Sequence, residues 1–399
     1  MKKQKVKKNM KKPDLSFIVK LLVVIIACVS IIFIAASSFS NVTFSNVKGN
    51  IESVFLNSKK GEGYPYECSS LSPESTDMIG SYLAVVDDTS VVYLNKTAKE
   101  VLKFDTTYTN PAISISNGRA VVYNRGGSAF VVTGQSGLLY DNNDTADVLK
   151  EGIITANIGK SGNLAFATWN DEGTSMFTAL NKKLGTEFYY VFGSDRAFYV
   201  TLSDNGNYGA CAAFGVENAT YYSKIYIFDF DKTEPVKVVK YPGETLIRMD
   251  FLDNKTISVV TDVSKRVITI ADKEEKHTVD YSMHNLTSTD FDLSSKRSAV
   301  CYAKYGSTLN VICAFDKKGK ETCRIEDVEN VKEIRCTSKR IAVLTDDKIL
   351  CYNYNGKLKS TMELTFNVDS LELDSSSGLY VFSGSNIYRT KTTKKSLTE

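Results

Sequence analysis

Four aspartates have the type and setting to do chemistry. Asp204, Asp250, Asp290 and Asp292 each lie beside a short strand-like run. Paired carboxylates are the working groups of glycoside hydrolysis, and their separation selects the mechanism. Other catalytic sets are missing. No GxSxG elbow and no P-loop occurs, and "GQSGLL" and "GKSGNL" read as turns. The two histidines, His277 and His284, share the polar corner "KEEKHTVDYSMHN" and are expected to be exposed. That gives a histidine triad or a metal centre little support. Of the eight cysteines, Cys28 falls in an apolar run. The other seven form an odd number with no CxxC pair, so a zinc site is unsupported and the thiols are expected to fill cores. The sequence thus offers no catalytic residue, no metal ligand and no cofactor motif.

Aromatic residues point to contact instead. The chain has 22 Tyr and 20 Phe. The richest stretches are "EFYYVFGSDRAFYV", residues 187–200, and "ENATYYSKIYIFDFD", residues 217–231. From Phe214 to Lys224 the insert is longer than a hairpin needs. Gly215, Asn218 and Thr220 suggest a loop there, which would expose the adjacent Tyr221 and Tyr222. These two are the expected partner-binding residues, on a surface suited to protein, peptide or glycan, the alternative being strand residues packed between blades.

A repeat must position these residues. The hairpin pattern of "ICAFDKKGKETCRI" returns in "LCYNYNGKLKSTME". The runs "SYLAVV", "GRAVVY", "GNLAFA", "GNYGAC", "NKTISVV", "KRSAVC", "KRIAVL" and "SGLYVF" recur at a period of roughly 40–45 residues, with four short strands in each. Four strands at that period predict an all-β fold, a β-propeller of eight blades. Seven is the alternative, if the copy from residue 110 merges with a neighbour. Ala84, Ala165, Gly209, Ser258, Ala299 and Ala342 hold equivalent places and are expected on inner strands that converge on the axis. The last copy lacks its outer strand. Residues 63–70 are expected to supply it by pairing near Ile387–Thr390, because an open ring would expose strand edges. The propeller is assigned to residues 64–391, with 392–399 a disordered tail.

The N-terminus reads differently. Seven lysines, from Lys2 to Lys12, precede the uncharged run "LLVVIIACVSIIFIAASSF", residues 21–39. As a helix this run spans roughly 28 Å, close to a bilayer's hydrocarbon core. It predicts a basic cytoplasmic tail (1–16), a single transmembrane helix (17–39) and an extracytoplasmic remainder, by the positive-inside rule. A cleaved signal peptide ending near Ala35-Ala36-Ser37 is the competing reading. Residues 40–63 read as a stalk with a short amphipathic helix carried by Val47, Ile51, Val54 and Phe55. Net charge is +3, but the basic block belongs to the tail and the remainder is mildly acidic. A general nucleic-acid-binding surface is therefore excluded.

The turn in "LSDNGNYGACAAF", residues 202–214, resembles that of TolB- and WD40-like propeller repeats, with Asp204 where proline usually stands. The hairpin "FDKKGKET", residues 315–322, resembles that of quinoprotein-like eight-bladed propellers. There a tryptophan usually follows two places after the lysine, where this chain has Thr322, so quinone-cofactor binding does not carry over. The plan of Lys-rich tail, anchor and exported propeller resembles uncharacterised single-pass propeller proteins of Gram-positive anaerobes. That resemblance implies a membrane-anchored, extracytoplasmic module. With the catalytic sets missing, the expected function is non-catalytic binding or scaffolding of an envelope protein, peptide or glycan. The alternative is an envelope enzyme acting on glycan through axial carboxylates.

Overall fold

The structure is a computed structural model that describes residues 59–70, 73–142, 149–171, 174–272, 275–393 and 396–397. The basic tail, the expected transmembrane segment and stalk residues 40–58 lie outside the described residues. Among the described residues no α-helix occurs, and no helix is long and apolar enough to cross a membrane.

Eight sheets follow one another along the chain, each built on four consecutive antiparallel strands except at the closure. They are blades 1–8 of a propeller. The copy from residue 110 is a blade of its own: Pro111–Ser116 pairs with Arg119–Asn124, which pairs with Phe130–Thr133. The count is therefore eight and not seven. The inner strands are Ser75–Ile79, Pro111–Ser116, Ile153–Ile158, Arg196–Leu202, Leu246–Phe251, His284–Asp292, Glu333–Cys336 and Ser370–Leu373.

The small residues occupy a different place from the one expected. Ala84, Ala165, Gly209, Ser258, Ala299 and Ala342 all lie on the second strand of their blade, not on the innermost one. The reason is lateral packing. A second strand is covered on both faces by the neighbouring blades, and its central residues are buried, as throughout Tyr82–Val86. Aromatic rings press into that seam. A Cβ on Gly209 would meet Phe177 at 2.8 Å and Phe230 at 2.9 Å. The innermost strands carry polar and charged residues instead.

The hairpin quoted from two places in the sequence recurs in four blades as one turn. Its first residue, Asn95, Asn181, Asp316 or Asn353, accepts hydrogen bonds from the backbone N–H groups two and four residues on. The fourth residue takes a positive φ, which glycine meets without strain in Gly319 and Gly356. The lysines between and after these positions are left to project outward.

Turns between first and second strands touch one another around the ring. Asn117 donates to the Lys160 carbonyl at 3.2 Å, Asn163 to Gly206 at 3.4 Å, and Lys296 to Phe251 at 3.0 Å. They define one face of the disc, the turn face, which also carries the turns between third and outer strands. The opposite, loop face carries the turns between second and third strands and the links between blades.

The ring closes as the missing strand required. Tyr66–Glu67 pairs with Asn386–Lys391 and becomes the outer strand of blade 8. The Cys68 N–H donates to the Ser385 carbonyl at 2.8 Å. The Ser69 and Ser70 N–H groups then reach the Asp87 carboxylate on blade 1 at 2.8 and 3.1 Å. Within the segment expected to be a disordered tail, Ser396–Leu397 adds a fifth strand to blade 7, parallel to Glu363 and Leu364. Deleting residues 64–70 reopens the ring, and thermal unfolding should then fall by about 5 °C or more. Asp87→Ala, which strips one carboxylate from the same seam, should lower it less.

Candidate functional site

Alternation along the inner strands sends every second side chain toward the axis. In blades 1 and 5–8 those positions are charged: Asp77, Arg248 with Asp250, Asp290, Glu333 with Arg335, and Glu372. Asp290 lies between both arginines, 3.7 Å from Arg248 Nη1 and 3.7 Å from Arg335 Nη1. Arg248 Nε donates to Asp250 Oδ2 at 2.7 Å. Arg335 bonds Glu333 at 2.7 Å, approaches Glu372 at 3.9 Å, and donates to the Leu371 carbonyl at 3.0 Å. A pocket of about 390 Å³ opens beside Arg335 toward the loop face, with Glu74 and Asp369 in its wall.

Five axial acids face two arginines. Burial pushes Glu372 up to about 8 and Asp77 up to about 6, against the opposing pull of Arg335. Burial also raises Asp250 and Glu333. Both arginines are held charged, because the surrounding acids outweigh the burial penalty.

The sequence named two of these groups. Asp250 and Asp290 do reach the axis. Asp204 and Asp292 do not, because Asp204 sits in a turn on the turn face and Asp292 ends its strand at that face. There Asp204 bridges Lys296 at 2.8 Å and Lys160 at 3.6 Å, while Asp292 accepts the Ser294 N–H at 2.9 Å. Asp77, Arg248, Glu333, Arg335 and Glu372 were missed. The available signal was charge at i and i+2 in a short strand, as in "IRMDF" and "EIRC".

The Tyr221–Tyr222 segment is a long hairpin, not the expected loop. Tyr208–Glu217 and Thr220–Asp229 pair to their tips, ending at Glu217 opposite Thr220. Asn218 and Ala219 both have positive φ, 50° and 60°, as a two-residue hairpin turn requires. Strand alternation therefore splits the pair. Tyr221 is half exposed beside its cross-strand neighbour Val216, and its hydroxyl donates to the Gly243 carbonyl at 2.7 Å. Tyr222 turns inward and is 5% exposed. Its hydroxyl donates to Asp195 Oδ1 at 2.6 Å, and the Lys240 ammonium lies 4.1 Å from its ring centre. Lys224 and Tyr226 also bond Asp195. Burial opposes ionisation there, but these hydrogen bonds hold the Asp195 carboxyl below its usual range.

Tyr221 is one of several exposed apolar side chains on the loop face. Trp169, Val216, Ile247, Met283 and Tyr305 lie there on blades 3–6 or their links, with Met283 79% and Tyr305 81% exposed. With Tyr221 they spread over four consecutive blades of that face, and their exposure is too high for core packing.

The cysteines and histidines divide. All seven described cysteines are buried with free thiols. His284 is half-buried, not exposed, because it starts the inner strand of blade 6 edge-on to Tyr302, with ring centres 5.2 Å apart. His277 lies on the outer strand Lys276–Asp280 of blade 5. Among the described residues no group of His, Cys, Asp and Glu is placed to hold a metal ion.

Eight closed blades with a charged axis and one apolar-rich face define a β-propeller. The chain belongs to DUF5711, described as a family of unknown function, whose profile matches residues 65–391. Among solved structures it is similar to the C-terminal WD40 domain of Sif2, with 11% identity, 83% of this chain and 99% of that one covered, and a TM-score of 0.58. It is also similar to Saccharomyces cerevisiae Sqt1, with 9% identity over 84% and 100% of the two chains and a TM-score of 0.56. BamB from Moraxella catarrhalis aligns with 12% identity over 82% and 99%, at a TM-score of 0.49. At such identities the likeness is one of fold. No curated protein matches the sequence.

The axial cluster makes a pH-dependent prediction. Burial pushes Glu372 up to about 8 in the folded chain, against about 4.3 when unfolded, so it costs nothing below pH 4, and its cost grows until pH passes 8. Glu372→Gln keeps the acceptor for the Leu373 N–H. The variant should gain a few kcal/mol over the parent at pH 9, about 5 at most, and almost none at pH 4, read by denaturant unfolding at both values.

Proposed function

We propose that the protein is a membrane-anchored, extracytoplasmic propeller that binds a protein or peptide partner through its loop face, without catalysis. The observation that carries this reading is the run of exposed apolar side chains across blades 3–6, with the Val216–Tyr221 hairpin projecting from it. Charge refines the partner. In the described connections on the loop face, eleven acids face three bases, so the complementary partner is basic as well as apolar. The uncharged run at residues 21–39 and the lysines before it support the anchor.

A glycan-acting enzyme would draw on Asp250 and Asp290. Both are engaged by Arg248, at 2.7 and 3.7 Å, so the axis supports charge storage better than a poised acid and nucleophile.

Two variants at one hairpin separate contact from support. Val216→Ser with Tyr221→Ser should leave the melting temperature within a degree or two and abolish capture of an envelope partner by the full-length chain. The outer-rim pair Leu138→Ser with Leu139→Ser should keep that capture. Tyr222→Ser should instead destabilise by roughly 3 kcal/mol, because it empties a buried site and removes one of the three side chains that bond Asp195. Equal capture by the parent and the Val216/Tyr221 variant would remove the loop-face site. Topology has its own readout: protease added to intact, wall-stripped cells should remove the propeller, and full protection would overturn the extracytoplasmic placement.

A further inference from the structure

The two faces of the disc carry opposite charge. In the described connections of the turn face, sixteen bases face nine acids, the reverse of the loop face. The imbalance is built by the repeated turn. Its first residue, even when it is Asp316, points back to cap the backbone, while Lys96, Lys99, Lys182, Lys183, Lys317 and Lys318 stand exposed. Blades 4 and 5 depart from this pattern, since Asp231, Glu234, Asp272 and Glu275 lie in their outer turns. The basic surface therefore runs over the turns of blades 6, 7, 1 and 3.

The chain also enters the ring on this face. The Lys59 carbonyl accepts from the Asn95 side chain at 2.9 Å, and the Gly61 and Gly63 N–H groups bond Thr97 at 2.9 and 3.1 Å. Asn95 and Thr97 belong to the outer turn of blade 1, between Ser90–Leu94 and Glu100–Asp105. Whatever precedes Lys59 thus joins the disc beside Lys96 and Lys99.

We infer that the turn face docks on an anionic lipid surface, which leaves the loop face pointing away from the bilayer. This rests on the membrane-anchored reading. Projecting lysines are drawn to anionic headgroups within a Debye length, about 8–10 Å at moderate salt. The twenty residues from 40 to 59 span at most roughly 70 Å when extended, so the tether keeps the face at high effective concentration over the membrane. A partner site on the loop face then stays free while the disc is docked.

The test compares the full chain in lipid discs of phosphatidylcholine alone and of phosphatidylcholine mixed with phosphatidylglycerol. Surface amines are labelled, and the rate at each lysine is read by mass spectrometry. Lys182, Lys183, Lys317 and Lys318 should label several-fold more slowly in the anionic discs and recover in high salt. Lys150 and Lys304 on the loop face should label alike in both. Equal labelling of the turn-face lysines in the two lipids overturns docking. Protection by added heparin but not by phosphatidylglycerol also overturns it and assigns the face to a soluble polyanion. A chain that fails to co-purify with the discs contradicts the anchor instead. Labelling the unanchored chain with and without anionic vesicles then decides docking by the same criterion.

Discussion

Everything in this molecule follows from the need to cover both faces of every sheet. A four-stranded antiparallel blade has two apolar faces and cannot bury either alone. Each therefore packs on the blade before and the blade after, and the stack ends only by closing on itself. Tyr66–Glu67 provides that closure by entering blade 8, at the far end of the sequence. The second strands lie deepest between blades, so they bear the small residues, and rings such as Phe177 and Phe228 stack into the seams.

Closure also creates the axis. Eight inner strands converge on a space that neighbouring blades do not fill, and polar side chains occupy it. Charge there is viable because it is shared. Asp290 faces two guanidinium groups, and Arg335 is held by Glu333, Glu372 and the Leu371 carbonyl. Acids still outnumber arginines, so burial shifts the excess toward the protonated state. The axis is thus a compact network of shared charge, tied together by its two arginines.

The rim is free of these constraints, and the two rims diverged. On one face a stereotyped turn uses its first side chain as a cap and spends its other positions on lysine. On the other, the connections carry acids and exposed apolar groups, and one hairpin extends well past its neighbours. The result is a disc with a basic face where the chain arrives and an acidic, apolar face opposite. Two surfaces of opposite chemistry suit a module held at one boundary and presenting a site away from it.

The repeat, its four strands, the eight copies and the closing strand were all legible in the sequence. Each rests on local chemistry: period-two alternation, an Asp or Asn cap followed by a glycine, and a final copy one strand short. What the alternation could not say was which neighbour covers which face. The small residues were therefore placed on the axis when they belong to the seams between blades. Tyr221 and Tyr222 looked like one exposed pair, but an extended hairpin sends one outward and the other onto Asp195. The axial cluster joins Asp77 to Glu372 across almost the whole chain, and only ring closure brings them together. A near-neutral composition likewise hid two charged faces, because sequence sums charges that the fold separates. Local geometry is written residue by residue, whereas proximity between blades and the direction a side chain faces are properties of the closed ring.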